Sequence, residues 1–287
     1  MGLRLFSALM AIASAAILGS TAYGSAVRTD TVSNMSSDTA AEPLYDAASD
    51  YGITEQSGIG SGARVPSAFS YEQINYFLEV ALGSEYGSSS SFVRRWEDDI
   101  RIRINIPESE GVDSQTQQEV QETVADVVSD LNRLIAETHG ISYPNVGTTQ
   151  QRPIRIEIAE SADAEANLDF YFVKAENFPI YDSNTRQGQV GFVWTWWNQD
   201  RINQSRILVA SNHLSKAERD HVIREEITQA LGILKDSWNY PSSIFYQGWT
   251  APTEYDPIDE AVIKMLYSPN IRPGMSAAEV EAILNDL

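Results

Sequence analysis

Arg224-Glu225-Glu226-Ile227-Thr228-Gln229-Ala230-Leu231-Gly232 is the stretch on which the reading of this chain turns. Ser215 and Glu218 just ahead of it form a capping-box pattern, so the spacing predicts a helix from Lys216 to about Leu231, with Gly232 as its stop. On a helical wheel Ile223, Ile227, Ala230 and Leu231 make a buried stripe. His221, Glu225 and Gln229 fall on the opposite, polar side, and Glu226 lies between the two. Working outward, Ser70 and Gln73 repeat the capping pattern ahead of a helix with Ile74, Phe77, Leu78 and Ala81 at helical spacing. Ile100, Ile102, Ile104 and Ile106 alternate with Arg101, Arg103 and Asn105, which predicts a half-buried strand stopped by Pro107. From about Ser114 to His139, Val120, Val124, Val127, Leu131 and Leu134 form one continuous stripe of a long helix closed by Gly140. Ile154 to Ile158, Leu168 to Phe172 and Val190 to Trp197 read as strands, with a short fourth run from Arg206 to Ala210. Trp194, Trp196 and Trp197 suit core packing better than a ligand groove. This order of elements, with no repeat and no Gly-rich phosphate loop, predicts one α+β domain over residues 70–287 with a C-terminal helical extension.

Twenty Lys plus Arg stand against forty Asp plus Glu in 287 residues, a formal charge of -20. Such a surface repels phosphate backbones and anionic headgroups, which argues against nucleic acid and membrane surfaces as partners. It also suits a saline habitat, as does the scarcity of Lys. With no Cys, disulfides, thiolate metal sites and a Cys nucleophile are excluded. Arg4, the apolar run Leu5 to Leu18 and the small residues that follow read as a signal peptide over residues 1–26, cut after Ala22 or Ala26. The run is too short for a membrane span. Residues 27–69, rich in Ser, Thr, Ala, Gly and Asp, read as a flexible leader. The expected location is periplasmic or secreted.

The spacing of Glu225, Glu226 and Gln229 is that of H-E-x-x-H, in which two ligands one turn apart hold a metal and the Glu between them activates its water. A polar helix face is ordinarily only solvated, but the context here is fuller. Gly232 follows seven residues after Glu225, at the place of the glycine in H-E-x-x-H-x-x-G-x-x-H/D. The third ligand position is Lys235 on strict spacing or Asp236 one residue later, and Lys does not ligate a cation. Ser243-Ile244-Phe245-Tyr246 is similar to the Met-turn of such sites with Phe245 in place of Met, and Asp256 to Tyr267 resembles the closing helix. From Ile100 to Tyr267 the chain thus resembles the zincin metallopeptidases. That resemblance implies a twisted mixed sheet packed on the long helix and on the E-E-x-x-Q helix.

A closer resemblance is to the bacterial family called domain of unknown function 2927, over roughly Tyr71 to Leu287. It rests on Arg94-Arg95-Trp96, the Glu225–Gly232 string with Asp236-Ser237, Pro241-Ser242-Ser243-Ile244-Phe245, and Leu266-Tyr267-Ser268-Pro269 with Arg272-Pro273-Gly274-Met275. Members carry Glu and Gln where zincins carry His. The family brings no established reaction, and fold does not decide function.

Glu225, Gln229 and Asp236 offer only oxygens, so a bound cation would be calcium, magnesium or manganese rather than zinc. Glu226 would then be the general base and Tyr246 the oxyanion stabiliser of a metal-assisted hydrolase. The preferred reading is a pseudo-peptidase, a binding or scaffolding module for an unidentified protein or peptide, because both activating imidazoles are gone. A metal-free acid/base pair of Glu225 and Glu226 is disfavoured, since adjacent helix residues point about 100° apart. Glu225, Gln229 and Asp236 are expected to converge, either on a cation or as a structural tie for the loop after Gly232. Among the histidines, His139 suits a helix C-terminus, His213 lies in a loop, and His221 is expected as a surface partner of Glu225.

Overall fold

The isoleucine alternation after Asp99 does build a strand, and its neighbours assemble around it in a mixed sheet. The computed structural model describes residues 23–28, 68–82, 92–139, 152–161 and 164–285. The signal peptide and leader expected over residues 1–69 lie outside these apart from two short pieces. The strands are β1 (Tyr23–Arg28), β2 (Arg95–Trp96), β3 (Ile100–Asn105), β4 (Ile156–Ile158), β5 (Leu168–Val173), β6 (Gly191–Asn198) and β7 (Arg201–Ala210). The α-helices are α1 (Tyr71–Leu82), α2 (Ser114–His139), α3 (Phe178–Tyr181), α4 (Lys216–Gln229), α5 (Pro257–Leu266) and α6 (Ala277–Asn285).

The sheet order is β1-β6-β7-β5-β3-β4, with β2 added alongside β7. β3–β4, β3–β5, β5–β7 and β2–β7 pair in parallel, whereas β6 runs antiparallel to β7 and to β1. This is a mixed α/β architecture with a largely parallel sheet. Period-2 alternation divides its residues between two faces. Phe170, Phe172, Val193, Ile207 and Val209 enter the main core with α2 and α4, while Val173, Phe192, Leu208 and Ala210 join Phe178 in a smaller second cluster. Parallel strands covered on both faces read as nearly unbroken apolar runs, which is why β5 and the end of β7 do so.

The long helix matches its stripe: Val120, Val124, Val127, Leu131 and Leu134 are fully buried. Asp113 caps it, its Oδ1 accepting the Thr116 N–H at 2.9 Å. Both capping boxes expected from sequence are present, Ser70 with Gln73 and Ser215 with Glu218.

The structure departs from the sequence reading at three places. β7 is a ten-residue strand beginning at Arg201, not a short run from Arg206, because its polar first half pairs with β6 through Gln204 and Ser205. Arg95 and Trp96, given no secondary structure in the sequence reading, form a buried strand. The tryptophans of β6 are half-buried, Trp197 packing against the main core and Trp194 against the smaller cluster, while Arg94 and Arg206 lie over the Trp197 and Trp196 rings at 4.4 and 5.6 Å. Among the described residues no helix is long and apolar enough to cross a membrane.

Candidate functional site

α4 carries the E-E-x-x-Q sequence, and the expected split into a buried stripe and a solvated face does not hold. Every residue from His221 to Gln229 is buried. The physical reason is that the helix has neighbours all round and its polar side chains find partners there. Arg219 and Arg224 reach across to Glu119 and Asp130 of α2 at 2.6 and 2.9 Å. Thr228 shares a 2.8 Å hydrogen bond with the Tyr255 hydroxyl.

His221 is likewise interior, not a surface histidine. Its Nδ1 lies 2.9 Å from the Pro252 carbonyl oxygen, which can only accept, so Nδ1 carries the proton and Nε2 is left as an acceptor. Nε2 faces Glu225 Oε2 at 3.6 Å, beyond hydrogen-bond length. Burial holds His221 below its ordinary range and therefore neutral.

The end of α4 is sealed by residues distant in sequence. Helix C-termini leave carbonyls without intrahelical donors. Here the Trp96 indole N–H donates to the Ala230 oxygen at 2.9 Å and the Tyr267 hydroxyl to the Leu231 oxygen at 3.0 Å. Gly232 then turns the chain at φ 119°, where a Cβ would stand 1.9 Å from the Arg94 carbonyl oxygen. Only glycine meets both demands. Arg95 does for α5 what Trp96 does for α4, donating to the Leu266 and Ser268 carbonyls at 2.7 and 3.1 Å. The Arg94–Trp96 and Leu266–Ser268 motifs thus hold the two helix ends together.

After that turn Asp236 comes back beneath the helix. The Gln229 amide donates from Nε2 to Asp236 Oδ1 at 2.8 Å. Burial first, and then the neighbouring Asp236 and Glu226 charges, push the Glu225 carboxyl well above the usual range. Burial likewise raises Asp236 to about 7, with the Gln229 hydrogen bond opposing. Gln229 and Asp236 therefore meet, and these two and Glu225 are all 3% exposed or less. Glu225 Oε2, Gln229 Oε1 and Asp236 Oδ2 are acceptors without a hydrogen-bond donor. Among the described residues no group of three His, Cys, Asp or Glu side chains is placed to hold a metal ion.

Glu226 leaves the helix in another direction and lies against β6. A Cβ on Gly191 would fall 2.1 Å from Glu226 Oε1 and 2.8 Å from Val222 Cγ1, so the carboxylate fills the space that Gly191 leaves. Tyr246 packs edge-on against Trp238, ring centroids 6.0 Å apart, and its backbone pairs with Ser237. That pairing, with Ser237 N–H to the Phe245 oxygen and Gln247 N–H to the Ser237 oxygen, shapes the turn read as Met-turn-like.

Sequence reasoning missed the network below this turn. Ser243 donates to Asp259 Oδ1 at 2.5 Å and shares a 2.8 Å bond with the Tyr76 hydroxyl, while Asp259 Oδ2 accepts the Ile244 and Asp256 N–H groups. The Asp256–Asp259 capping box at α5 was the available signal for part of it.

A family model described as "Protein of unknown function (DUF2927)" matches residues 71–286, well over half of the chain. No curated protein matches it.

Proposed function

The chain belongs to the DUF2927 family, and from that premise we propose that it is an exported, zincin-like module that works by binding a protein or peptide partner and does not hydrolyse peptides. One observation carries this reading. Of the positions corresponding to the metal ligands, Gln229 and Asp236 are closed on one another, the Gln229 amide being spent on Asp236, and these two and Glu225 are all buried. A catalytic metal needs an open coordination position for water or substrate. The base position supports the same conclusion, because Glu226 is packed against Gly191 in the interior. The order of long helix, mixed sheet and E-E-x-x-Q helix with its glycine turn supports the zincin-like part.

A second reading, a hydrolase with a hard divalent cation, is favoured by the acceptor oxygens of Glu225, Gln229 and Asp236 that have no donor. Metal analysis of the purified chain together with peptide-library cleavage, with and without added zinc, calcium, magnesium or manganese, separates the two. The module should carry no stoichiometric cation and give no turnover. Chelator-sensitive cleavage that falls ~10²–10⁴-fold in Glu226→Gln, with melting unchanged, would establish the hydrolase.

A further inference from the structure

We propose that the turn from Trp238 to Trp249 is a docking surface for a basic peptide segment, whose Arg or Lys side chains lie on the Trp238 and Trp249 rings beside the Glu218 carboxylate. This names the partner class for the binding module proposed above and rests on that reading. Among the described residues five large apolar side chains stand exposed, and three of them, Trp238, Tyr240 and Trp249, fall within this one turn. Exposed apolar residues scattered singly carry no meaning, whereas their concentration marks an interaction site. Trp and Tyr are also the residue types that supply most binding energy at interfaces.

Two lengths of the turn run side by side. Ser237 pairs with Tyr246 in parallel, and the Gln247 N–H donates to the Ser237 oxygen at 2.8 Å. Trp238, next along the chain, stands edge-on to the Tyr246 ring with centroids 6.0 Å apart. A Gly248 Cβ would fall 2.4 Å from Cε1 of the same ring, so the backbone just before Trp249 lies directly against Tyr246. Tyr246 thereby joins the two indole-bearing segments. The connection between them is fixed as well. Tyr240 holds φ at 59°, a left-handed value rare for an aromatic residue, with its ring 4.8 Å from that of Tyr76 and its carbonyl accepting the Ser243 N–H at 2.8 Å. A surface set in place beforehand lowers the ordering cost of association.

The polar groups at the rim select a cation. The Trp249 indole N–H donates to Glu218 Oε1 at 3.2 Å, and the Asn239 amide donates to Glu79 Oε2 at 2.9 Å. These donors, which a sugar hydroxyl or a ligand carbonyl would need, are engaged within the chain. Ring faces and carboxylate acceptor sites are what the surface still offers. Glu218 is kept ionised, Ser215 first and the Trp249 indole last holding its carboxyl below the usual range. Among the described residues no Lys or Arg is paired with it. A cation over the Trp249 face meets that carboxylate at the indole edge, so ring and charge act together. The chain already uses the ring contact internally, with Arg94 over Trp197 at 4.4 Å. Its net charge of -20 steers basic partners toward it and repels acidic ones.

Calorimetric titration of the purified chain at ~0.15 M salt tests the assignment, with a synthetic peptide of about ten residues in which Arg alternates with Ser. The same peptide with Gln or Glu in place of Arg, and a chitin tetrasaccharide, are the comparators. The Arg peptide should bind saturably and tighter than all three. Trp238→Ala and Trp249→Ala should each weaken it about two- to fivefold and together about tenfold, the loss of one and two exposed ring contacts. Trp249→Phe, which keeps a ring, should bind better than Trp249→Ala. Ile180→Ala, at another exposed apolar position, should bind as wild type, and Trp238→Ala should melt as wild type because its side chain is 59% exposed. Preference for the Gln or Glu peptide or for the saccharide, or Arg-peptide binding indifferent to both tryptophans, would overturn the surface. Absence of binding would overturn it too, while leaving the module reading to the metal and cleavage assays that test it.

Discussion

Gly191 and Glu226 occupy one space between them, and that reciprocity can be measured at the level of single residues. The Glu226 carboxylate stands where a Gly191 Cβ would be, and both are enclosed, so neither can retreat into solvent. Gly191→Ala should destabilise by ~1–3 kcal/mol in denaturant unfolding, the range for overpacking a filled interior. In a Glu226→Ala background the same substitution should cost much less, leaving only the Val222 contact. Equal costs in both backgrounds would show that Glu226 does not fill this space. Glu226 was legible in the sequence as the one residue keeping both type and position in the motif. Its glycine partner, 35 residues away at the start of β6, carried no signal, because nothing in a strand pattern says which helix side chain will lie against it.

At the level of elements, α5 is tied to the turn before it through Asp259. Burial raises its carboxyl from 3.8 to about 6, with the hydrogen bonds from Ser243, Ile244 and Asp256 opposing. Because the folded value exceeds the unfolded one, the stabilisation is complete below pH ~4 and is lost as pH rises through about 6. About two units correspond to roughly 3 kcal/mol. Asn at position 259 mimics the protonated acid, with its oxygen accepting the two backbone N–H groups and its amide donating to Ser243. Asp259→Asn should therefore melt like wild type near pH 4 and above it near pH 8. A difference between the two proteins that does not vary with pH would reject the raised Asp259. Elements were the most readable level of this chain: the α2 stripe, both helix caps and the alternating β3 all formed as spaced. The face assignment of α4 failed because periodicity distinguishes inside from outside only when one side meets water.

For the whole molecule the net charge of -20 decides between two opposing responses to salt. Ion pairs such as Arg152–Asp99 and Arg133–Glu137 are exposed, worth ~0–1 kcal/mol each, and weaken when screened. Repulsion among a twofold excess of acidic groups is relieved by the same screening, and it spans the entire surface. The melting temperature should consequently rise between ~0.05 and ~1 M sodium chloride, over which the Debye length drops well below the spacing of most surface charges. A fall across that range would mean that ion pairing outweighs repulsion.

The sequence by itself determined most of the helices and strands, that Gly232 turns the chain, and that Gln229 and Asp236 meet. All of these depend on spacing within about a dozen residues, where backbone geometry alone relates one side chain to another. Only the tertiary structure decided what surrounds them. Arg224 lies 94 positions from Asp130 and Trp96 lies 134 from the Ala230 carbonyl it caps. Those pairings turn a helix that reads as half solvated into one enclosed by protein. That enclosure raises the Glu225 and Asp236 carboxyls, a property set by desolvation and neighbouring charge that no local spacing contains.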